Sequence, residues 1–162
     1  MSIITDALHH LLETELELME HFLFSLKKEN ALLMDSYSND DLFDLTEIKN
    51  QYAERLSAVA TQRDEALADL GLAAGQEGLL AAQQQYPALS DTIQELINTV
   101  EKARQYNEEN GLLIEAYLNY TSEALEALNS ANPTATNPQQ AQTYDAKGIT
   151  RVKTNLRRVV KA

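Results

Sequence analysis

Apolar residues recur every three or four positions over three long stretches of this chain, the spacing of helices that pack along one face. The last stretch predicts a helix from Ser90 to about Ala131. Its packed face is predicted to contain Ile93, Leu96, Val100, Ala103, Asn107, Asn110, Ile114, Tyr117, Thr121, Ala124 and Leu128. Buried amides need hydrogen-bond partners, and a glycine such as Gly111 costs about 1 kcal/mol inside a helix. The two asparagines are therefore expected to form a buried polar layer, to face solvent at the edge of the bundle, or to shape a groove for another helix.

Two further helices precede this one. The first runs from about Thr5 to Ser36, with Thr5 or Asp6 as the N-cap, and its apolar stripe is wide enough for a bundle. The second runs from Asn39 or Asp40 to about Leu70, and Gly71 is suited to end it. The short turn between them predicts an antiparallel hairpin. The sequence therefore predicts an all-α fold: an antiparallel bundle of three long helices, coiled-coil-like, with a short extra helix at about 76–86.

The end of the chain has a different composition. Residues 132–143 are rich in Pro, Thr, Asn, Gln and Ala, which predicts a flexible linker. The segment 149–160 then places apolar residues on one side of a helix and basic residues on the other. Such a short helix is marginal alone and is expected to form only against a partner. The predicted division is a bundle, 1–131, and a linker and tail, 132–162.

Charge separates the same two parts. The net charge is −12, but residues 1–146 hold all 25 acidic residues and seven of the 13 bases, which gives −18. Residues 147–162 hold the other six bases and no acid, which gives +6. An acidic body repels nucleic acid and anionic lipid, so neither is an expected partner of the body. The basic tail could bind the bundle, a neighbouring copy in a weak homo-oligomer, another protein, or a membrane surface.

The chemistry of enzymes and metal sites is missing from the sequence. There is no cysteine and no phosphate-binding glycine motif, and no nucleophile lies near a base in a recognisable pattern. The three histidines lie on the first helix, where His10, Glu13, Glu17 and His21 share what we interpret as a solvated face. No cofactor, no metal and no enzymatic activity are expected. The start MSIITDALHH lacks signal-peptide features and no apolar run approaches the roughly 18 residues of a membrane span, so a cytoplasmic location is expected.

The tyrosines divide into two groups. Tyr106, Tyr117 and Tyr120 lie within the last long helix, and we expect them to pack in the core or at its boundary. Tyr144 follows the polar linker, with no local core to enter. Because an aromatic ring on a tail is a good anchor for another protein, Tyr144 is a candidate binding residue.

Two short segments resemble a known family. Residues 107–116, Asn-Glu-Glu-Asn-Gly-Leu-Leu-Ile-Glu-Ala, resemble the Asn-x-x-Asn-Gly-x-Leu-Leu/Ile-Glu segment of flagellar type III export chaperones of the FlgN family. Residues 143–148, Thr-Tyr-Asp-Ala-Lys-Gly, resemble the short Tyr-x-x-x-Gly motif that follows the last helix in that family. Length, acidity and three long helices also fit, so the resemblance covers essentially the whole chain. The longer linker and the basic apolar end depart from shorter relatives.

The resemblance implies a function. Such chaperones bind the C-terminal amphipathic helices of the hook-associated proteins of the hook–filament junction, prevent premature assembly and deliver these clients to the flagellar export gate. Carried over to this chain, the client-binding residues are Asn107, Asn110, Leu112, Leu113, Ile114, Leu118, Leu125 and Leu128. The residue used at the export gate is Tyr144. The alternative hypothesis is a structural, self-associating helical bundle without a client.

Overall fold

Four α-helices form most of the chain in the computed structural model, which describes residues 2–35, 39–131, 142–144 and 150–152. They are α1 (Ile3–Met34), α2 (Asn39–Asp69), α3 (Gly75–Gln85) and α4 (Ser90–Ala131), with a 3-10 turn at Pro87–Leu89. This confirms the all-α bundle of three long helices with a short extra one. The chain divides into two compact units, Met1–Glu108 and Glu109–Ala162, and the division falls within α4. None of the described helices is long and apolar enough to cross a bilayer.

The ends of α1 and α2 follow from local hydrogen bonds. Helix α1 begins earlier than predicted, because the Ser2 hydroxyl accepts from the backbone N–H of Thr5 at 3.3 Å and caps the first turn. The predicted N-cap at Thr5 or Asp6 is wrong. At the end of α2, Gly71 has a positive φ of 74°. The N–H of Gly71 donates to Ala68 and that of Leu72 to Leu67, both at 2.9 Å, which is the Schellman pattern.

The first unit has two apolar clusters that align its helices. One cluster joins α1, α2, α3, the 3-10 turn and the start of α4; its buried members are Leu8, Leu12, Ala66, Leu67, Leu79, Ala82, Leu89, Ile93 and Leu96. The second joins Leu23 and Leu26 of α1 to Ala103 of α4, with Tyr106 packed against it. Residues later in α1 therefore meet residues later in α4, so these two helices run parallel. Ala66 and Leu67, near the end of α2, pack with Leu8 and Leu12, near the start of α1, so α2 is antiparallel to both.

Buried ion pairs cross between α1 and α2. Arg63 Nη1 donates to Glu15 Oε1 at 2.5 Å, while its Nε and Nη2 donate to Asp64 Oδ1 at 3.1 and 3.0 Å. The same Asp64 oxygen accepts from the backbone N–H of Gly75, the first residue of α3, at 3.1 Å. This network links three helices. A second pair joins Lys49 Nζ to Glu29 Oε2 at 2.6 Å, and both side chains are buried.

The two carboxylates around Arg63 respond to it differently. Burial raises the pKa of Glu15, although the charge and hydrogen bond of Arg63 oppose the rise. Burial also acts to raise the pKa of Asp64, but the hydrogen bond from Gly75 and the pairing with Arg63 outweigh it and lower that pKa. Glu15 Oε2 is buried without a hydrogen-bond partner in the described structure, so this carboxylate depends on Arg63 for its compensation.

The two cross-helix pairs also fix how α1 and α2 are aligned. Glu15 and Glu29 are separated by the same number of residues as Arg63 and Lys49, so one alignment of the antiparallel hairpin forms both pairs. Sliding α2 by one heptad would bring leucines, namely Leu42, Leu56 or Leu70, opposite the buried carboxylates. Because an uncompensated buried charge is costly, these pairs disfavour the shifted alignments.

The tail contains a short β-ribbon. Strand β1 (Gln142–Tyr144) pairs antiparallel with β2 (Thr150–Val152), so that Tyr144 lies opposite Thr150. In this structure residues 150–152 form a strand, and the two β-branched residues that flank Arg151 favour it. The amphipathic helix over 149–160 was expected only against a partner, so it stays a prediction. The remainder of that segment, 153–160, and the linker residues 132–141 lie outside the described residues. The division at 131/132 stays a prediction.

Candidate functional site

The predicted packed face of α4 is buried over only part of its length. Ile93, Leu96, Ala103, Asn110 and Ile114 are buried, whereas Val100 and Asn107, seven residues apart, are exposed. A straight α-helix rotates by about 20° per heptad relative to a 3.5-residue repeat, so one line of positions cannot face the same partner throughout. From Ser122 to Ala131 every residue is exposed. The last turns of α4 therefore keep the apolar pattern of a packed helix without burying it.

These exposed apolar residues form a continuous surface. We call it the α4 apolar face and define it as Tyr117, Tyr120, Ala124, Leu125 and Leu128, all of them exposed. At about 100° of rotation per residue, its members lie within about 80° of Leu128 around the helix. At 1.5 Å per residue the face is about 16 Å long, or three helical turns. Tyr120 is 72% exposed and Leu128 66%, which is unusual for large apolar side chains arranged on one side.

The structure separates the predicted client-binding residues. Leu125 and Leu128 lie on the α4 apolar face; Leu113, before it, and Leu118, next to Tyr117, are half-buried. Ile114 and Asn110 are buried, with exposures of 3% and 1%, so neither is presented to another molecule here. For Asn110 this favours the interpretation as part of a buried polar layer. Asn107 is exposed and belongs to the first compact unit.

Leu112 lies on the other side of the helix. Its side chain is 68% exposed, nearly the same as that of Leu128. Leu112 and Leu128 are sixteen residues apart, which corresponds to about 160° around the helix axis. Leu112 lies on the same side of α4 as Glu115 and Glu126. The structure therefore does not bring Leu112 together with Leu125 and Leu128.

Sequence reasoning missed Tyr117 and Tyr120 as parts of the site. Tyr106 packs against the second apolar cluster as expected. Tyr120, however, is the most exposed large side chain of the α4 apolar face, and Tyr117 is 40% exposed. A signal was present in the predicted lengths, because α4 was expected to be longer than either arm of the hairpin. Aromatic residues in the last turns of such a helix have less partner surface to pack against.

The charge around the face is of one sign. Between residues 109 and 131 the chain has four carboxylates and no lysine or arginine; the carboxylates are Glu109, Glu115, Glu123 and Glu126. They lie about 100° to 160° from Leu128 around the helix, on the flanks and back of the apolar face. This surface is therefore apolar in the middle and negative at its sides.

The histidines of α1 have ordinary neighbours. The His21 ring stacks on Tyr52 with 5.6 Å between ring centroids, and His9 Nε2 lies 3.6 Å from Glu13 Oε1 and 3.4 Å from Thr92 Oγ1. Within residues 2–35 and 39–131, His, Asp and Glu side chains form no group that could hold a metal ion. The α4 apolar face thus remains the strongest candidate site.

Comparison with known proteins gives one match. The family described as FlgN protein matches residues 1–151, which include all four helices and both tail strands except Val152. Searches of curated proteins and of solved structures found no match.

Proposed function

The chain belongs to the FlgN family of flagellar export chaperones, which bind flagellar hook-associated proteins, and we propose that it holds such a client on the α4 apolar face. In this proposal the client contributes a C-terminal amphipathic helix, which is covered until export. The binding residues are Tyr117, Tyr120, Leu125 and Leu128, with Leu113 and Leu118 at the near end. The exposed apolar surface of the last turns of α4 is the observation that supports this most strongly.

The shape of the surface suits a helical partner. Helix-in-groove recognition uses apolar residues at intervals of three and four, and the α4 apolar face repeats at 117, 120, 124 and 128. Three turns of a client helix can lie along it. The two tyrosines supply large contact area at low conformational cost, and each carries a hydroxyl that tolerates water at the rim. A face without charges at its centre makes few sequence-specific demands, which fits a chaperone with more than one client.

The other predicted client-binding residues lie outside the α4 apolar face. Asn110 and Ile114 are buried, so we propose that they support α4 from within and do not touch the client. Asn107 is exposed and stays a candidate contact. Leu112 stays a candidate only if the client extends around the helix, because it points away from Leu128.

Co-purification tests client binding. We expect the purified chain to retain full-length hook-associated proteins and to lose them when their C-terminal helix is deleted. The result follows because only an amphipathic helix matches the spacing of the α4 apolar face. Size-exclusion chromatography with light scattering reports the complex and its stoichiometry. A folded chain that does not retain full-length hook-associated proteins would contradict the proposal and favour the self-associating structural bundle.

We further propose that Tyr144 acts at the export gate after the client has bound. Tyr144 lies in strand β1, opposite Thr150 of β2, so the ribbon holds the backbone of this residue in a defined pairing. Tyr144 is separated in sequence from the α4 apolar face by residues 129–143. Binding of client and binding at the gate can therefore be carried by different surfaces.

Replacing Tyr144 by alanine is expected to reduce export of hook-associated proteins while leaving client affinity within about twofold, since an aromatic anchor that contacts only the gate adds nothing to client binding. Export is measured as secreted hook-associated protein in culture supernatant, and affinity by calorimetry. Thr143→Ala changes the neighbouring residue of the same strand. It is the control for an effect of substitution on the pairing of β1 with β2. Equal loss of affinity and export in Tyr144→Ala would place the tyrosine in the client site instead.

A further inference from the structure

We propose that the last ten residues of this chain, 153–162, bind the α4 apolar face of the same molecule and must be displaced by a client. The segment reads Lys-Thr-Asn-Leu-Arg-Arg-Val-Val-Lys-Ala over 153–162. It lies beyond the family match, which ends at residue 151, so it is a feature of this chain and not of the family pattern. The second part of the proposal, the competition with client, rests on the proposed function.

Charge complementarity supports this occupant. The segment carries four bases and no acid, namely Lys153, Arg157, Arg158 and Lys161. The part of α4 that bears the face carries four carboxylates and no base between residues 109 and 131. Opposite charges within a Debye length of about 8 Å attract at physiological salt. Lysine and arginine side chains are long enough to reach the flanks of α4 while their stems cover apolar surface.

The apolar residues of the segment fit as well. Leu156, Val159 and Val160 follow a spacing of three and four, as the face itself does. The face offers exposed Tyr117, Leu125 and Leu128 as partners. Covering these side chains removes apolar surface from water, which favours the contact. The segment therefore resembles a short client helix in pattern, with basic residues added.

The chain is long enough to return to the face. Ten residues, 132–141, connect the end of α4 at Ala131 to the start of β1, and an extended chain of that length spans up to about 33 Å. The far end of the face, Tyr117, is about 21 Å from Ala131 along the helix. The ribbon brings the chain from β1 back through β2, and residues 153–162 follow directly.

A tethered segment competes through its high effective concentration, of millimolar order, even when its own affinity is low. If it occupies the face for about 70–90% of the time, the apparent client affinity falls about 3- to 10-fold. A client with more apolar contacts still displaces it. The segment would thereby shield the apolar face between clients.

Paramagnetic labelling tests the contact directly. The chain contains no cysteine, so Ala162→Cys gives one site for a nitroxide label. We expect strong broadening of the amide signals of residues 117–128 in the full chain, reduced at high salt. Replacing Lys153, Arg157, Arg158 and Lys161 together by glutamine should abolish the broadening, whereas the control Lys147→Gln should retain it. No broadening in the full chain would overturn the proposal.

Two further arms separate other occupants. In the first, isotope-labelled chains that carry no nitroxide are mixed with nitroxide-labelled chains that carry no isotope. Broadening in this mixture means that the segment binds a second copy of the chain, which overturns the intramolecular proposal. If the face shows no broadening and phosphatidylserine vesicles retain the full chain but not a chain ending at Val152, the segment is a membrane-binding element, which also overturns it.

Client affinity separates this proposal from the proposed function. A chain ending at Val152 is expected to bind the C-terminal helix of a hook-associated protein 3- to 10-fold more tightly than the full chain, and that helix should remove the broadening. If the full chain binds client but truncation leaves the affinity unchanged, the competition is overturned. If broadening is present but no client helix binds either chain, the tail contact stands and the proposed function fails.

Discussion

Replacing Leu128 by aspartate is expected to weaken binding of a hook-associated C-terminal helix by about 30-fold or more. Burying a leucine side chain in an apolar contact is worth about 2 kcal/mol, which corresponds to about 30-fold in affinity, and a carboxylate at the same place adds a cost of desolvation. Leu128 is 66% exposed in the free chain, so the substitution leaves the core of the chaperone intact. Isothermal titration calorimetry measures the affinity, and circular dichroism confirms that the variant is folded.

Leu112→Asp is the matched control for this experiment. The residue type, the helix and the exposure are nearly the same, at 68% against 66%, but the side chain lies about 160° away around α4. We expect this variant to lose less than about threefold in affinity, as is usual for residues outside the centre of an interface. A larger loss in Leu112→Asp than in Leu128→Asp would place the client on the opposite side of α4. Equal large losses would mean that the client surrounds the helix.

Replacing Arg63 by alanine is expected to lower the free energy of unfolding by about 3–5 kcal/mol, the cost of leaving a buried charge without its partner. Arg63 is the hydrogen-bond donor that the structure gives to buried Glu15, and it also holds Asp64, which in turn accepts from the start of α3. Its loss therefore affects three helices. Urea denaturation followed by circular dichroism measures the change, with the slope of the transition checking that unfolding remains two-state.

Arg104→Ala provides the comparison. Arg104 also bonds two carboxylates, Glu101 and Glu108, but on the exposed surface of α4, where solvent screening leaves such pairs little effect on stability. The double variant Glu15→Leu with Arg63→Leu should recover much of the stability, because apolar residues often replace a buried pair at little cost. If Arg63→Ala were no more destabilising than Arg104→Ala, the buried network would have no special role in joining α1, α2 and α3.

Much of the fold could be predicted because helix signals are local. The limits of α4, the end of α2 at Gly71 and the presence of a short helix before Pro87 follow from periodicity and capping residues close in sequence. The predicted start of α1 was wrong by a few residues. Ser2 and Thr5 are both residue types that cap helices well, and only the hydrogen bonds decide between them. The strand at Thr150–Val152 was missed since pairing with Gln142–Tyr144 is not a property of either segment alone.

The candidate site on α4 differs from the set of residues expected from the sequence, and the reason is burial. Four of the predicted client-binding residues, Asn110, Leu112, Ile114 and Leu128, lie on α4, the helix that carries the family motif. From the sequence, all four were expected to contact the client. The structure buries Asn110 and Ile114, and it turns Leu112 away from Leu128. Which residues of an apolar helix remain exposed depends on where its partners end, and that depends on the rest of the chain.

The sequence by itself determined that this protein is an acidic, cysteine-free bundle of long helices with a basic end, and its two short motifs pointed to the FlgN family. These properties follow from residue type and spacing along the chain. Only the tertiary structure showed that Arg63 compensates buried Glu15, and that Tyr117, Tyr120 and Leu128 form an exposed apolar face on the last turns of α4. Periodicity shows that a helix has an apolar side, but whether a partner covers that side is decided by contacts between residues far apart in sequence.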